Sequence, residues 1–286
     1  MKHIRTQEYH RLVNQSYNLL KKNLVIMIPN VFMLFITLLL SLIFLNVTGL
    51  IQIFLNNPNL LLSPAGLLAT LMEVLSKKWI YFILYFLIEI DLEIFFVGMK
   101  YGMIRDIILK GKTTLHSGFK YGFSHYLKIM SVTIIYYLMM FLPVIILLGI
   151  GFNLLIRSEI FGTIIMGVLF LVSLVYLFHI TFRLLFVFPV MTFEHTTPLG
   201  TFKKDIHYVK THIGHTFIAW IIFIVLGILL VVIKSPTKLL PEINLYLGIV
   251  LVIFLICVEF MVSTWEHIFM FKAYLSGKKK IKKKSK

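Results

Sequence analysis

The residues of this sequence best placed to do chemistry are charged side chains lying inside long apolar runs. Glu89, Asp91 and Glu93 share one run, His179 and Arg183 another, and Glu259, Glu266 and His267 a third. An ionised group in hydrocarbon costs roughly 2.5–3.5 kcal/mol or more, so such groups must find partners, face water or line a path. At about 1.5 Å per helical residue, counted from Trp79, Phe161 and Asn244, Glu93 and Glu259 fall at roughly 21 and 22 Å. Two carboxyls at one depth are candidate proton carriers, since like charges close together favour sharing a proton. By the same count Lys100, Arg183 and Glu266 fall at roughly 32–33 Å. An ion pair between Arg183 and Glu266, with Lys100 nearby and His179 between the two layers, is the expected arrangement. Glu89 shares a helix face with Glu93, whereas Asp91 points the opposite way. The intramembrane polar cluster is therefore Glu89, Glu93, Lys100, His179, Arg183, Glu259 and Glu266, either lining a substrate or proton path or acting as structural glue between spans.

Other chemistry is missing. His212 and His215 stand at i, i+3, a spacing that suits one metal ion, but no carboxylate or thiolate completes a ligand set, so no metal site is expected. Cys257 is the single cysteine and lies in an apolar run. The sequence holds no phosphate-binding glycine loop, nucleophile elbow, dinucleotide fingerprint or H-E-x-x-H pattern, so no cofactor is expected and enzymatic activity is disfavoured.

The elements that must position these groups follow from composition. Of 286 residues, 59% are apolar and 14% charged, with a mean hydropathy of +0.93, which excludes an ordinary soluble domain. An all-α integral membrane protein of six transmembrane helices is expected, with spans at 24–46, 79–100, 129–151, 161–190, 215–234 and 244–271. The net charge of +16 could suggest nucleic acid, but 22 of the 28 Lys and Arg residues fall on alternate flanks of these spans. That asymmetry puts both termini in the cytoplasm and removes the need for a nucleic-acid partner. The first run lacks a cleavable-signal pattern and should be retained. The expected location is the cell membrane as a multi-pass protein, or the endoplasmic reticulum in a eukaryote, where Lys283 and Lys284 would sit at dilysine positions. Asn46-Val47-Thr48 forms a sequon too close to the membrane for ready use. Ser63 followed by Pro64 reads as the start of a short interfacial helix to Leu75. Pro29 and Pro143 interrupt the first and third spans, and Gly98-x-x-x-Gly102 would permit close helix contact.

A basic amphipathic segment precedes each odd-numbered span, with stripes at Tyr9, Leu12, Val13, Tyr17 and Leu20, at Leu115, Phe119, Gly122, Phe123 and Tyr126, and at Leu199, Phe202, Ile206, Val209 and Ile213. Residues 124–128 echo 206–210 and residues 118–120 echo 201–203, offsets of 82 and 83. Three repeats of interfacial helix plus helical hairpin are therefore expected, at about 5–111, 112–196 and 197–277, within one transmembrane domain of residues 1–271 followed by a polybasic tail, 272–286. Lys21, Lys22, Lys120, Lys203, Lys204 and Lys210 are placed to meet anionic lipid, as are Lys278, Lys279, Lys280, Lys282, Lys283 and Lys284 in the tail.

Arg183, then Phe188 through Glu194, then Pro198 and the basic segment to Lys210 are similar to a pattern in a loose group of uncharacterised prokaryotic six-span proteins. That group includes the membrane domain fused to some glycerophosphoryl diester phosphodiesterases. Residues 118–123, entering the third span, resemble it too, and the likeness covers about 93–235. It implies an all-helical membrane domain associated with lipid or a membrane protein partner. The phosphodiesterase chemistry of the fused members resides in a separate soluble domain, so no catalytic residue carries over. The leading expectation is a non-enzymatic protein that binds anionic lipid or organises a membrane complex from the inner leaflet. A transporter or permease comes second, and a membrane-embedded enzyme acting on lipid headgroups comes third. A water-accessible cavity at Glu93 or Glu259 would favour transport.

Overall fold

Long apolar runs with few competing polar side chains satisfy their backbone groups internally, and in the computed structural model they do so as α-helices. The structure describes residues 2–57, 64–234 and 245–284, with no strand among the described residues. The helices are α1 (Lys2–Lys22), α2 (Ile28–Thr48), α3 (Leu50–Asn56), α4 (Pro64–Lys110), α5 (Leu115–Ser124), α6 (Tyr126–Arg157), α7 (Glu159–Arg183), α8 (Val187–Phe193), α9 (Pro198–Thr211), α10 (Ile213–Lys234) and α11 (Leu245–Lys284). A 3-10 turn, Leu24–Met27, joins α1 to α2. Among the described residues five stretches are long and apolar enough to cross a membrane: Leu24–Thr48, Tyr126–Ile156, Ile160–Phe193, Ile213–Val232 and Val250–Lys278. The run at 79–100 is helical within α4, but Glu89, Asp91 and Glu93 lower its apolar character and it is not one of the five.

Local chemistry sets the helix ends. Pro29 sits in the first turn of α2, where a missing N–H costs nothing, so it begins that helix rather than kinking a span. Pro143 lies inside α6. Gly49 ends α2 at φ +79°, a left-handed conformation that favours glycine. Lys78 breaks α4 into two straight pieces and its ammonium donates to the Val47 and Thr48 carbonyls at 3.2 and 2.9 Å, covering the end of α2. The interfacial helix expected from Pro64 is present as the first piece of α4, while Ser63 lies outside the described residues. Thr114 caps α5 and Thr197 caps α9, each accepting a backbone N–H at 3.2 Å.

A short helix precedes each of α2, α6 and α10, and the three junctions share a geometry. Asn23, His125 and His212 leave the helical region at φ −135°, −113° and −127°. Each places a side-chain nitrogen against the carbonyl four residues earlier: Asn23 Nδ2 to Leu19 at 3.0 Å, His125 Nδ1 to Tyr121 at 3.3 Å and His212 Nδ1 to Tyr208 at 3.0 Å. The two histidines also stack on Tyr121 and Tyr208, at 4.2 and 4.6 Å between ring centres. This geometry matches His125 to His212, not to His207 as the local sequence echo suggested.

The buried core gathers at the basic end of the bundle. Met103, Ile104 and Ile107 of α4, Phe186 before α8, Val187 and Val190 of α8, and Phe269, Phe271 and Tyr274 of α11 are all nearly inaccessible. Gly98 and Gly102 let α5 and the start of α6 approach α4 closely: a methyl group added at Gly102 would stand 2.5 Å from Tyr121 Cβ of α5, and one at Gly98 3.4 Å from the Gly122 Cα of α5 and 2.6 Å from Ile129 of α6. Gly118 and Gly122 answer from α5, facing Met99 and Met103. Away from this base the long helices turn large apolar side chains outward, Phe35, Leu42, Ile145, Val175 and Val231 among them, the pattern of a lipid-facing surface. The tail does not start free at 272, because Ala273, Tyr274 and Gly277 are buried.

Candidate functional site

Because the long helices pack tightly only at their basic ends, a cavity of about 1000 Å³ remains among α2, α4, α6, α7, α10 and α11, at the upper limit of typical small-molecule sites. It reaches from Glu89 to Tyr101 on α4, from Thr133 to Ile145 on α6 and from Glu259 to Phe271 on α11. Each stretch covers 13 residues, whose 12 helical steps span about 18 Å, so the three walls agree on its depth. Most of the wall is apolar. The charged and strongly polar exceptions are Asn30, Glu89, Glu93, Lys100, Glu259, Ser263 and His267, with hydroxyls of Thr37, Thr133, Thr181, Tyr101, Tyr136 and Tyr137.

Helical periodicity brings these groups together. Glu89 and Glu93 are one turn apart on α4 and Lys100 lies two turns further on, all on the cavity side. Lys100 is 5% exposed and sits within electrostatic range of Glu266 and Glu93, with no contact ion pair to either among the described residues. Glu266 is buried behind the cavity wall. Asn30 donates to Thr264 at 3.2 Å, tying α2 to α11 beside Ser263. Asp91, on the opposite face of α4, is exposed and accepts a hydrogen bond from the Tyr126 hydroxyl.

Of the seven residues of the expected cluster, the cavity collects Glu89, Glu93, Lys100 and Glu259, and Glu266 lies close by. His179 and Arg183 are exposed and off the cavity, and Arg183 forms no ion pair with Glu266. The depth count fixes distance along a helix but not the face a side chain takes, and α7 ends at Arg183 before residues 184–186 turn into α8. Arg183 thus lies at a helix end where its guanidinium turns outward. Lys21, Lys22, Lys120, Lys203, Lys204 and Lys210 are exposed as anticipated from their helix faces, and Lys278 is half-buried. The side chains of Lys279, Lys280, Lys282, Lys283 and Lys284 fall outside the described residues. No group of three metal-ligating side chains occurs among the described residues.

Two acids on the basic side were not anticipated. Asp205 of α9 is 0% exposed and neither carboxyl oxygen has a hydrogen-bond partner among the described residues. Burial pushes its carboxyl well above the usual carboxylate range, and the neighbouring Phe186 backbone offsets only part of that rise. Glu194 accepts from Lys278 at 2.8 Å, from Lys204 at 2.9 Å and from the Tyr274 hydroxyl. Burial raises the Glu194 carboxyl, but those three donors together outweigh it and hold the group down at about 2. The tyrosines of the cavity were missed because tyrosine is counted within the apolar composition class and its hydroxyl was not weighed.

The chain matches no protein-family model, no curated protein and no solved structure. What the structure itself defines is an all-helical protein with multiple apolar helices long enough to cross a membrane.

Proposed function

We propose that the chain is a six-span permease of the cell membrane, both termini cytoplasmic, whose central cavity binds and passes an amphipathic organic cation. The observation that carries this reading is the convergence of Glu89, Glu93 and Glu259 on one largely apolar cavity with a single ammonium, Lys100, among the lining side chains. A surplus of carboxylates in a low-dielectric wall attracts a cation, and the faces of Tyr101, Tyr136 and Tyr137 add cation–π attraction. The segment at 79–100 serves as the sixth span, with Glu89 and Glu93 facing the cavity and the exposed Asp91 accepting from the Tyr126 hydroxyl. The three-repeat organisation is supported by the matching junctions at Asn23, His125 and His212. The likeness of residues 93–235 to the six-span group belongs to the same proposal.

The test is transport of ethidium, an aromatic cation, by the full chain reconstituted in phosphatidylcholine vesicles. Uptake should saturate, and Glu93→Gln combined with Glu259→Gln should lower it at least tenfold while the protein remains monodisperse. Absence of saturable uptake, or full uptake by the double variant, overturns the reading. A second reading, anionic-lipid binding by a non-enzymatic organiser, is favoured by the exposed lysines on α1, α5 and α9.

A further inference from the structure

On the basic side, apart from the intramembrane cavity, α9, the start of α10, the end of α11 and Tyr9 of α1 enclose a second cavity of about 860 Å³. Three ammonium groups line it, Lys203, Lys204 and Lys278, together with His207, His212 and His215, against one carboxylate, Glu194. Glu194 holds the Lys204 and Lys278 ammoniums at 2.9 and 2.8 Å, so two lysines from different helices are fixed side by side on one anchor. Each ammonium has three donors and spends one on this carboxylate, leaving the others for a ligand. His215 is oriented as well. Its Nε2 lies 2.8 Å from the Ala273 carbonyl, which can only accept, so Nε2 carries the proton and Nδ1 accepts from the Tyr9 hydroxyl.

We propose that this second cavity is a binding site for a phosphate monoester. Its surplus of two positive charges, with the histidines neutral, matches the roughly −1.5 to −2 of a phosphomonoester at pH 7. Lysine ammoniums and imidazoles suit its oxygens as point donors. The cavity lies where α9 gives way to α10 at Ile213, the first residue of an apolar stretch able to cross a membrane, which is headgroup depth for a lipid. The same chemistry would take a phosphorylated lipid headgroup or a soluble phosphate ester, and the site is independent of any cation transport.

The test uses the full chain in phosphatidylcholine nanodiscs, with dioctanoyl phosphatidic acid and glycerol phosphate as separate probes and acetate at equal ionic strength as the control anion. Lys203→Gln with His207→Gln alters two exposed side chains and spares the Glu194 anchor, so folding should be unaffected. Lys21→Gln with Lys22→Gln removes the same kind of charge elsewhere on the basic side. We expect saturable binding of at least one phosphate probe, no saturable binding of acetate, at least tenfold weaker binding by the Lys203/His207 variant, and less than a twofold change in the Lys21/Lys22 variant. Binding of glycerol phosphate would identify a soluble source, and binding of the lipid alone a headgroup. No saturable binding of either probe, equal binding of acetate, unchanged affinity in the Lys203/His207 variant, or an equal loss in both variants would each overturn the proposal.

Discussion

Asp205→Asn should make the protein more stable at neutral and alkaline pH, and the gain should shrink on acidification. The side chain is fully buried in α9 beside the 184–186 turn, with both oxygens lacking hydrogen-bond partners among the described residues. Its folded carboxyl titrates well above the ordinary value while the unfolded one titrates near 3.9. Between those two values the folded protein binds more protons than the unfolded chain. Stability contributed by the protonated acid is therefore fully present below the unfolded value and is lost as pH rises towards the folded one. The loss cannot exceed about 1.4 kcal/mol per pH unit for one proton. From pH 5 to pH 7 that is at most about 2.7 kcal/mol, or on the order of 5–11 °C in apparent melting temperature for a chain of this size. Asparagine keeps the shape and cannot ionise, so the variant should lack this pH dependence. Thermal unfolding of both proteins in one detergent, at a fixed scan rate and at pH 5, 6, 7 and 8, measures the gap. A gap that stays constant with pH, or widens on acidification, would refute the reasoning.

Glu194→Gln should remove a pH dependence of the opposite sign. The wild-type carboxyl is held down at about 2, so its contribution is present above the unfolded value near 4.3 and is lost as pH falls towards 2, whereas the variant should show no such loss in an acid unfolding titration. Gly102→Leu should destabilise by about 1–3 kcal/mol, because even its Cβ would meet Tyr121 at 2.5 Å, and the shift should appear in thermal melts as a lower midpoint. Lys128→Met removes the ammonium that donates to the Met191 carbonyl at 2.9 Å and the Glu194 carbonyl at 3.3 Å. Since Lys128 is half-buried, the cost should be about 1 kcal/mol, seen as a lower melting temperature with unchanged helicity.

The apolar runs were legible as helices because their composition leaves the backbone no other way to satisfy its hydrogen bonds in lipid. Gly98-x-x-x-Gly102 was legible as a contact, though its partner, Gly118-x-x-x-Gly122 on α5, was not recognised as the same pattern. The depth count brought Glu93 and Glu259 to one cavity because α4 and α11 run unbroken through that region. It did not bring His179 and Arg183 there, because a rise per residue fixes depth and not helix face, and α7 leaves both side chains exposed. The turn at 184–186 did carry a signal: Pro189 has no N–H to give the Leu185 carbonyl four residues back and is tolerated in the first turn of a new helix, as Pro29 is in α2. Asp205 carried no such signal, since a single acid in a basic amphipathic segment reads as solvated, and only the packing of α9 against the turn buries it. The echo around His207 is a match of residue types, whereas the matching local geometry is at His125 and His212, where the backbone leaves the helix and the side chain reaches the carbonyl four residues back.

The division between a packed base and open spans has a physical origin. In water an apolar cavity of this size would be closed by hydrophobic collapse, but hydrocarbon is as apolar as the helix faces, so lipid supplies no such drive between spans. Cohesion must come from close packing and polar contacts, and this chain places both at the basic end: the facing glycines of α4 and α5, the aromatic cluster of Phe186, Tyr208 and Tyr274, and the Glu194 anchor between α9 and α11. The three short helices brace that end, and the long helices beyond it are free to diverge. Carboxylates on α4 and α11 can then line the gap between the helices. The cavity is thus a direct consequence of where the sequence concentrates its small, aromatic and charged residues, and Lys100, buried at the boundary between the two regions, is where a change in the base would be felt by whatever the cavity holds.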